Sequence, residues 1–285
     1  MTARGRRLLA RLVTTLVASL AGILTVGALP AAADTVGIGQ YVALGDSYAA
    51  GQGGGEESLP CLQSPNGYPA LLDAERQIHL RANVACTGAT TSRVSDKQLS
   101  ALKQSTRLVT LTVGAADLGL SGVLAACTPG PSEQCRMAID NALAQLVVPP
   151  GGESILGASL TDLYAEVADA APNALIVVTG YPLLFTIDDD DPLADLKREI
   201  NAATVALNAT IEAAVKSAQA DGIKIVYVDV TDDFAGHGIG SEKPFINLPG
   251  TGIGAFHPNA AGYEAYAAAI SAVLPSSWSN QQDAA

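Results

Sequence analysis

An α/β fold, with helices on both faces of a central parallel sheet, is predicted by the order and composition of the chain's segments. Short apolar runs alternate with longer stretches of helical character, and this alternation is typical of a three-layer αβα sandwich. The clearest runs are rich in valine and isoleucine, as strands buried on both faces of a parallel sheet are. With 48% apolar residues in the chain, residues 34–285 suit one domain with a full core.

Five strands are expected, and the second is the weakest of them. In chain order they are residues 41–44, 82–85, 108–113, 174–179 and 223–228. The expected helices are residues 67–80, 94–104, 133–147, 159–171, 193–221 and 259–274.

The carboxyl ends of the strands are where a site is expected, because open parallel sheets bind ligands there. The residues that follow the first four strands are Ser47, Gly88, Gly114 and Tyr181. We therefore expect these four positions to converge on one rim of the sheet.

The first 33 residues have the character of a secretory signal peptide. An arginine-rich start is followed by the apolar stretch Leu12–Leu29 and by the small residues Ala31–Ala33, which fit a cleavage site before Asp34. We expect residues 1–33 to be removed and the mature protein to be secreted to the extracellular side. A retained membrane anchor is the alternative, since the apolar stretch is almost long enough to span a bilayer, but no stop-transfer charge cluster follows it.

The mature chain is strongly acidic. Removal of residues 1–33 takes away four of the 16 basic residues and none of the 28 acidic ones, which leaves a formal charge near −16. Such a surface repels nucleic acids and arrays of anionic phosphates, and no cluster of lysine or arginine offsets it. We therefore expect no nucleic-acid partner and no basic patch for docking to a membrane.

Four cysteines lie in the mature chain, and an even number in an exported protein predicts two disulfides, with three pairings open. Cys127 and Cys135 flank the turn-rich segment Pro129–Pro131, which favours a bond between them and leaves Cys61 to pair with Cys86. Metal binding is the weaker interpretation, because no C-x-x-C pair is present and the histidines lie far away in sequence.

A candidate nucleophile, Ser47, follows the first strand in the segment Gly45–Tyr48. A serine hydroxyl stays protonated at neutral pH and needs a nearby base to become nucleophilic. His257, about 210 residues later, precedes Pro258 and Asn259 at the start of the last predicted helix. The two side chains can therefore form a nucleophile–base pair once the chain folds, although Gly-Asp-Ser is also an ordinary strand-to-helix turn.

The other histidines are weaker candidates for the base. His237 lies between two glycines in a predicted loop, where a histidine is often simply exposed. His79 falls within the predicted helix 67–80, as a surface or boundary residue.

Two loops near the predicted strand ends have unusual composition. The glycine-rich segment Gly51–Gly55 predicts a mobile loop beside the serine, either a plain surface loop or a lip that gates substrate. The acidic run Asp188–Asp191 predicts a solvated loop leading into the next helix, whose N-terminus favours acids. Calcium binding by this run is less favoured, because no EF-hand spacing appears.

Four blocks together resemble the SGNH (GDSL) hydrolase superfamily, in particular its exported bacterial esterases and lipases. They are residues 45–48, Ala85–Thr91, Val113–Asp117 and His257–Tyr263. The blocks stand in the family's order and span nearly the whole mature chain, so the combination is much more specific than any one of them. The resemblance implies a flavodoxin-like three-layer fold and hydrolysis of carboxylic esters through an acyl-serine, with no cofactor and no metal.

The resemblance also assigns roles to individual residues. Ser47 is the expected nucleophile and His257 the expected base of a Ser–His dyad. The backbone N–H groups of Ser47 and Gly88 are expected to form the oxyanion hole, and a glycine suits an amide that must approach a substrate closely.

Two positions depart from the family pattern. The third block normally reads G-x-N-D, with an asparagine that donates to the oxyanion, and here that position is Ala116; loss of one such donor costs about 2.7–4 kcal/mol. The last block normally has an aspartate three residues before the histidine, where this chain has Gly254. A backbone carbonyl of residues 252–255 can fix the imidazole tautomer instead, whereas Asp229 and Asp233 are less favoured substitutes.

The sequence thus predicts a secreted, monomeric serine ester hydrolase of the esterase or lipase type, acting on small-molecule or lipid esters. A carbohydrate O-deacetylase is one alternative, although 5% aromatic residues weakly disfavour a long sugar-stacking cleft. A catalytically weakened binding protein on the same fold is the other, although the intact Ser47 and His257 argue against it. No G-x-S-x-G elbow surrounds Ser47, which disfavours an α/β-hydrolase.

Overall fold

A fully parallel five-stranded sheet forms the centre of the fold, as the sequence predicts. The computed structural model describes residues 38–75 and 78–278, so the expected signal peptide at 1–33 lies outside the described residues. The strands lie in the order β2-β1-β3-β4-β5. They are β1 Ile38–Gly45, β2 Ile78–Asn83, β3 Leu108–Thr112, β4 Leu175–Thr179 and β5 Ile225–Val228.

Eight α-helices in the described part of the chain connect and cover these strands. They are α1 Ser47–Ala50, α2 Tyr68–Glu75, α3 Thr91–Gln98, α4 Leu120–Cys127, α5 Glu133–Ala144, α6 Ile155–Ala170, α7 Ala194–Ala220 and α8 Ala260–Val273. Helix α2 packs against α8, whereas α6 packs against both α3 and α7. The two helix groups and the sheet give the predicted three-layer αβα architecture. None of the described helices is both long and apolar enough to cross a membrane.

The second strand is where the prediction was wrong. The expected helix 67–80 ends at Glu75, and the chain forms β2 from Ile78 instead of a strand at 82–85. His79 therefore lies in a strand, where it is exposed as a surface residue. The cause is the position of β2 at the edge of the sheet, paired only with β1, because an edge strand is partly solvated and lacks the continuous apolar run of a buried one.

Both predicted disulfides are confirmed. The Cys61–Cys86 bond joins the segment after α1 to the segment after β2, and the Cys127–Cys135 bond connects α4 to α5. Helix α4 itself was not predicted, and it begins directly after the loop that follows β3.

The acidic run before α7 lies in a loop, as predicted. Asp191 pairs with Lys197, and Asp189 pairs with Arg198. These contacts fasten the loop to the first turns of the helix that follows it.

Candidate active site

Ser47 is the first residue of α1 and lies directly beyond the carboxyl end of β1. The turn depends on Gly45, which has a φ of +126° and approaches β3 so closely that a Cβ atom would lie 2.1 Å from the carbonyl oxygen of Thr112. The Gln98 side chain brackets this glycine, accepting from its N–H at 2.8 Å and donating to its carbonyl at 2.9 Å. The local sequence therefore fixes the position from which Ser47 projects.

Asp46 fixes the orientation of α1. Its carboxylate accepts hydrogen bonds from the N–H of Tyr48 at 2.9 Å and from the hydroxyl of Tyr181 at 2.6 Å. The Tyr181 hydroxyl in turn accepts from the N–H of Ala115 at 3.2 Å. Burial raises the pKa of Asp46 to about 7. This network joins the ends of β1, β3 and β4 beneath the serine.

The structure brings Ser47 and His257 together across 210 residues of sequence. The Nε2 atom of His257 lies 2.8 Å from the Oγ atom of Ser47, and its Nδ1 atom lies 2.8 Å from the carbonyl oxygen of Ala255. Because a carbonyl only accepts, Nδ1 carries the proton, which leaves Nε2 free to accept the proton of the serine. The predicted carbonyl of residues 252–255 is thus the one of Ala255, next to Gly254.

Contacts with α1 and with a neighbouring loop hold the histidine segment in place. The hydroxyl of Tyr48 donates to the carbonyl of Phe256 at 2.9 Å, and the Tyr48 ring lies 5.3 Å from the imidazole. The N–H of Asn247 donates to the carbonyl of His257 at 2.8 Å. Burial lowers the pKa of His257, although its bond to Ala255 and the charge of Glu57 oppose this shift. The imidazole is therefore neutral at neutral pH, which is the state that a general base needs.

The predicted oxyanion amides lie at the ends of β1 and β2. Gly88 is exposed and has a φ of +68°. The N–H of Cys86, two residues before it, donates to the carbonyl of Gly45 at 3.0 Å, and the Cys61–Cys86 disulfide anchors the same loop. Within the described residues, no hydrogen bond uses the amide of Ser47 or that of Gly88, so both remain available to a ligand.

Ala116 lies in the turn after β3, on the same rim. The neighbouring Asp117 accepts from the N–H of Thr91 at 3.1 Å and from its hydroxyl at 2.7 Å. These bonds attach the turn that carries Ala116 to the start of α3, three residues beyond Gly88. The position that an asparagine occupies in the family pattern is therefore tied to the loop that carries Gly88, and here its side chain is a methyl group.

Gln52 is a site residue that the sequence analysis missed. Its Oε1 atom accepts from the hydroxyl of Thr87 at 2.7 Å, its Nε2 atom donates to the carbonyl of Ile253, and its own N–H donates to the carbonyl of Ser47 at 3.0 Å. The buried Gln52 side chain thus joins the loop that carries Gly88 to the loop before His257, and its backbone N–H ties both to the helix that begins at Ser47. A glutamine inside a glycine-rich run was the only signal of this role in the sequence.

The glycine-rich segment Gly51–Gly55 is fastened rather than free, contrary to the expectation of a mobile loop. The side chain of Asn247 donates to the carbonyl of Gly53 at 2.9 Å, and that of Asn66 donates to the carbonyl of Gly54 at 2.9 Å. Glu57 accepts from the N–H groups of Gly53 and Gly55. The loop is therefore part of the wall of the site.

The remaining candidates lie elsewhere. The ring of His237 stacks on Phe245 at 3.8 Å, and its Nδ1 atom lies 2.8 Å from the carbonyl of Lys243. Asp229 accepts from the backbone and hydroxyl of Thr231, and Asp233 is exposed. None of these three side chains is among the described partners of Ser47 or His257.

Two apolar cavities lie against Tyr48 and Phe256, the chain neighbours of Ser47 and His257. The first, of about 30 Å³, is lined among others by Tyr48, Leu118, Val123, Ile139, Ile200 and Leu207. The second, of about 260 Å³, is lined among others by Leu124, Phe185, Leu196, Ile200, Ile239 and Phe256. Ile200 belongs to both walls, and the flanking Tyr48 and Phe256 are the chain neighbours of Ser47 and His257. Apolar space therefore adjoins the two segments that carry Ser47 and His257.

Comparison with known proteins identifies the family. Residues 43–265 match the GDSL-like lipase/acylhydrolase family. The chain is 34% identical over 253 residues to Lipase 1 of Streptomyces coelicolor, which covers 86% of this chain and 88% of that protein.

Two solved structures are similar over most of the chain. The extracellular lipase of Streptomyces rimosus has a TM-score of 0.73 and 31% identity, over 83% of this chain and all of the lipase. Phospholipase A1 of Streptomyces albidoflavus has a TM-score of 0.74 and 34% identity, over 83% of this chain and 99% of the phospholipase. The chain therefore belongs to the GDSL-like lipase/acylhydrolase family and is a carboxylic ester hydrolase.

Proposed function

We propose that this hydrolase is secreted and cleaves small and medium-length acyl esters through an acyl intermediate on Ser47. The observation that carries the proposal is the 2.8 Å contact between the Ser47 Oγ atom and the His257 Nε2 atom, with Nδ1 fixed by the Ala255 carbonyl. A hydroxyl paired with a neutral imidazole of fixed tautomer is the arrangement that activates a serine.

The proposed reaction has two halves. In the first, Ser47 Oγ attacks the ester carbonyl while His257 Nε2 takes the hydroxyl proton, and the amides of Ser47 and Gly88 bind the resulting oxyanion. Collapse of this intermediate breaks the bond to the alcohol, which leaves with the proton from His257. In the second half, His257 deprotonates a water that attacks the acyl-serine, and the acid is released as the proton returns to Ser47.

The apolar cavities favour a fatty acyl group over the acetyl group of a glycan. An acetyl group needs little contact, whereas the two cavities that share Ile200 are lined mainly by aliphatic and aromatic side chains. The binding free energy of an acyl chain becomes more favourable in proportion to the apolar surface that is removed from water. The names lipase and phospholipase A1 of the relatives support the same substrate class.

We also propose that residues 1–33 are cleaved and that the mature protein acts as a monomer. The two disulfides support an oxidising destination, and the relative from S. rimosus is described as extracellular.

Covalent labelling tests the proposed nucleophile. An alkyl fluorophosphonate, which phosphonylates activated serines, is expected to add one phosphonyl group per chain, located by peptide mass spectrometry on the peptide containing Ser47. His257→Gln should slow labelling strongly, because the base is removed, whereas Ser92→Ala, an exposed position on α3, should label at the normal rate. Labelling at another residue, or none at all, contradicts the proposal.

The acyl-binding role of the cavities is tested with p-nitrophenyl esters from acetate to decanoate. Ile200→Phe narrows both cavities, so the ratio of kcat/KM for decanoate to that for acetate should fall roughly tenfold. Val205→Phe lies on the same helix but is 54% exposed, and it should leave the ratio unchanged. A general loss of folding would lower kcat/KM for both esters and leave their ratio unchanged in both variants. If the ratio is unchanged in a folded Ile200→Phe variant, the acyl group binds outside these cavities.

A further inference from the structure

The dyad leaves a positive charge without a hydrogen-bonded counter-charge. When His257 takes the serine proton it becomes an imidazolium, and its Nδ1 partner is the neutral carbonyl of Ala255. A carboxylate at that place stabilises the imidazolium more strongly than a carbonyl does. Residues 244–256 contain no ionisable side chain, so the histidine loop itself cannot supply the charge.

Glu57 is an anion held beside this histidine by the glycine-rich loop. Its Oε1 atom accepts from the N–H of Gly53 at 2.9 Å and from the N–H of Gly55 at 3.1 Å. Gly53 lies against the histidine itself, since a Cβ atom on this glycine would be 2.9 Å from the Cβ atom of His257. Asn247 fastens the two, with its side chain bonded to the carbonyl of Gly53 and its N–H to the carbonyl of His257.

The other groups around His257 do not fill this role. Tyr48 of α1 presents a phenol whose hydroxyl donates to the carbonyl of Phe256. Asp46 lies beneath α1, where Tyr48 and Tyr181 occupy its carboxylate oxygens. Tyr263 of α8 donates its hydroxyl to the carbonyl of Gln52.

The charges of Glu57 and His257 act on each other. Partial burial raises the pKa of Glu57, but backbone hydrogen bonds and the charge of His257 outweigh it, so the pKa is lowered and the carboxylate is ionised at neutral pH. In the same way, the charge of Glu57 opposes the burial that lowers the pKa of His257. Glu57 therefore favours the protonated imidazole, which is the state formed as Ser47 attacks.

We propose that Glu57 is a positioning residue that supplies, through the glycine-rich loop, the negative charge missing from the dyad. It does not touch the reacting atoms. It holds Gly53 against His257 and stabilises the imidazolium across that contact. The proposal rests on the proposed role of His257 as the base.

The test compares Glu57→Gln with Glu56→Gln in the full mature protein. Glutamine at 57 keeps an oxygen for the two glycine amides and removes only the charge. We expect kcat to fall about three- to tenfold with KM unchanged, because the charge acts when the imidazolium forms. We also expect the acid limb of kcat/KM against pH, which reports the base in the free enzyme, to move about half a pH unit to lower pH.

The lower kcat and the shifted acid limb act in opposite directions at acid pH. This distinguishes loss of the Glu57 charge from a structural disturbance, which would lower kcat without moving the acid limb. The variant should be slower at neutral pH, yet keep a larger fraction of its own maximal activity in acid. Glu56→Gln, at an exposed neighbouring position, should change neither quantity, and 1 M salt should narrow the difference between wild type and Glu57→Gln. An acid limb that stays in place while kcat falls overturns the proposal. Normal fluorophosphonate labelling of Ser47 in that case shows that the proposed function still stands.

Discussion

Replacement of Ser47 by alanine is expected to lower kcat for p-nitrophenyl butyrate by about six orders of magnitude. The variant loses the atom that forms the acyl intermediate, and His257 then has no hydroxyl to activate. Binding should survive, because the cavities beside Tyr48 and Phe256 remain intact. Steady-state kinetics on a panel from acetate to palmitate measures the loss, and a thermal unfolding curve shows whether the fold is retained.

The matched control is Ser92→Ala, which removes a hydroxyl from an exposed position on α3 and should keep wild-type kinetics. If wild type and Ser47→Ala are equally inert across the whole panel, Ser47 is not a working nucleophile. The proposed acyl-serine mechanism then fails.

The central strands could be predicted from sequence because strands buried on both faces consist almost entirely of apolar or small residues. The observed strand Leu108–Thr112 falls within the predicted run 108–113, and Leu175–Thr179 within 174–179. Nearly all residues of both strands are buried, so nearly all are apolar or small. In the edge strand Ile78–Asn83 only Ile78 is buried, and His79 and Arg81 are exposed. The sequence therefore predicted the end of a helix for residues 78–80 and placed the strand at 82–85.

The contact between Ser47 and His257 could be predicted because each residue lies in a local motif. The turn at Gly45 and the helix start at Asn259 each carry their own sequence signal, and the structure brings Ser47 and His257 to 2.8 Å. The carbonyl partner of Nδ1 was predicted for a related reason, since Gly254 offers no carboxylate.

Gln52 and Glu57 could not be predicted, because their roles depend on contacts far away in sequence. The Gln52 side chain reaches Ile253 across 201 residues, and the loop that Glu57 holds lies against His257. In the sequence Gln52 stands within the glycine-rich segment Gly51–Gly55 and Glu57 follows two residues after it; this composition indicates a loop but not the surface on which the loop packs. Only the three-dimensional structure shows that the segment Gly51–Gly55 forms part of the wall of the site.

The substitution Ala116→Asn is expected to raise kcat by roughly one to three orders of magnitude, about the contribution of one oxyanion donor. The new amide would donate to charge that develops only in the transition state, so KM should change little. The turn can accommodate the larger asparagine side chain, because Ala116 is only half-buried. The backbone of the turn is held in place, since the Ala116 carbonyl accepts from the N–H of Gly119 at 3.0 Å and Asp117 accepts from the N–H of Thr91. Ala116→Leu is the matched control, because leucine has similar size and no donor.

Kinetics of the two variants separate a new hydrogen bond from a change in packing. If asparagine accelerates turnover and leucine does not, the missing donor limits the wild-type enzyme. The gain should also disappear in the double variant Ser47→Ala/Ala116→Asn, because without the serine no acyl-serine oxyanion forms between the amides of Ser47 and Gly88. If asparagine and leucine behave alike, the turn at Ala116 does not direct a side chain to the oxyanion, and the rate of this enzyme is limited elsewhere.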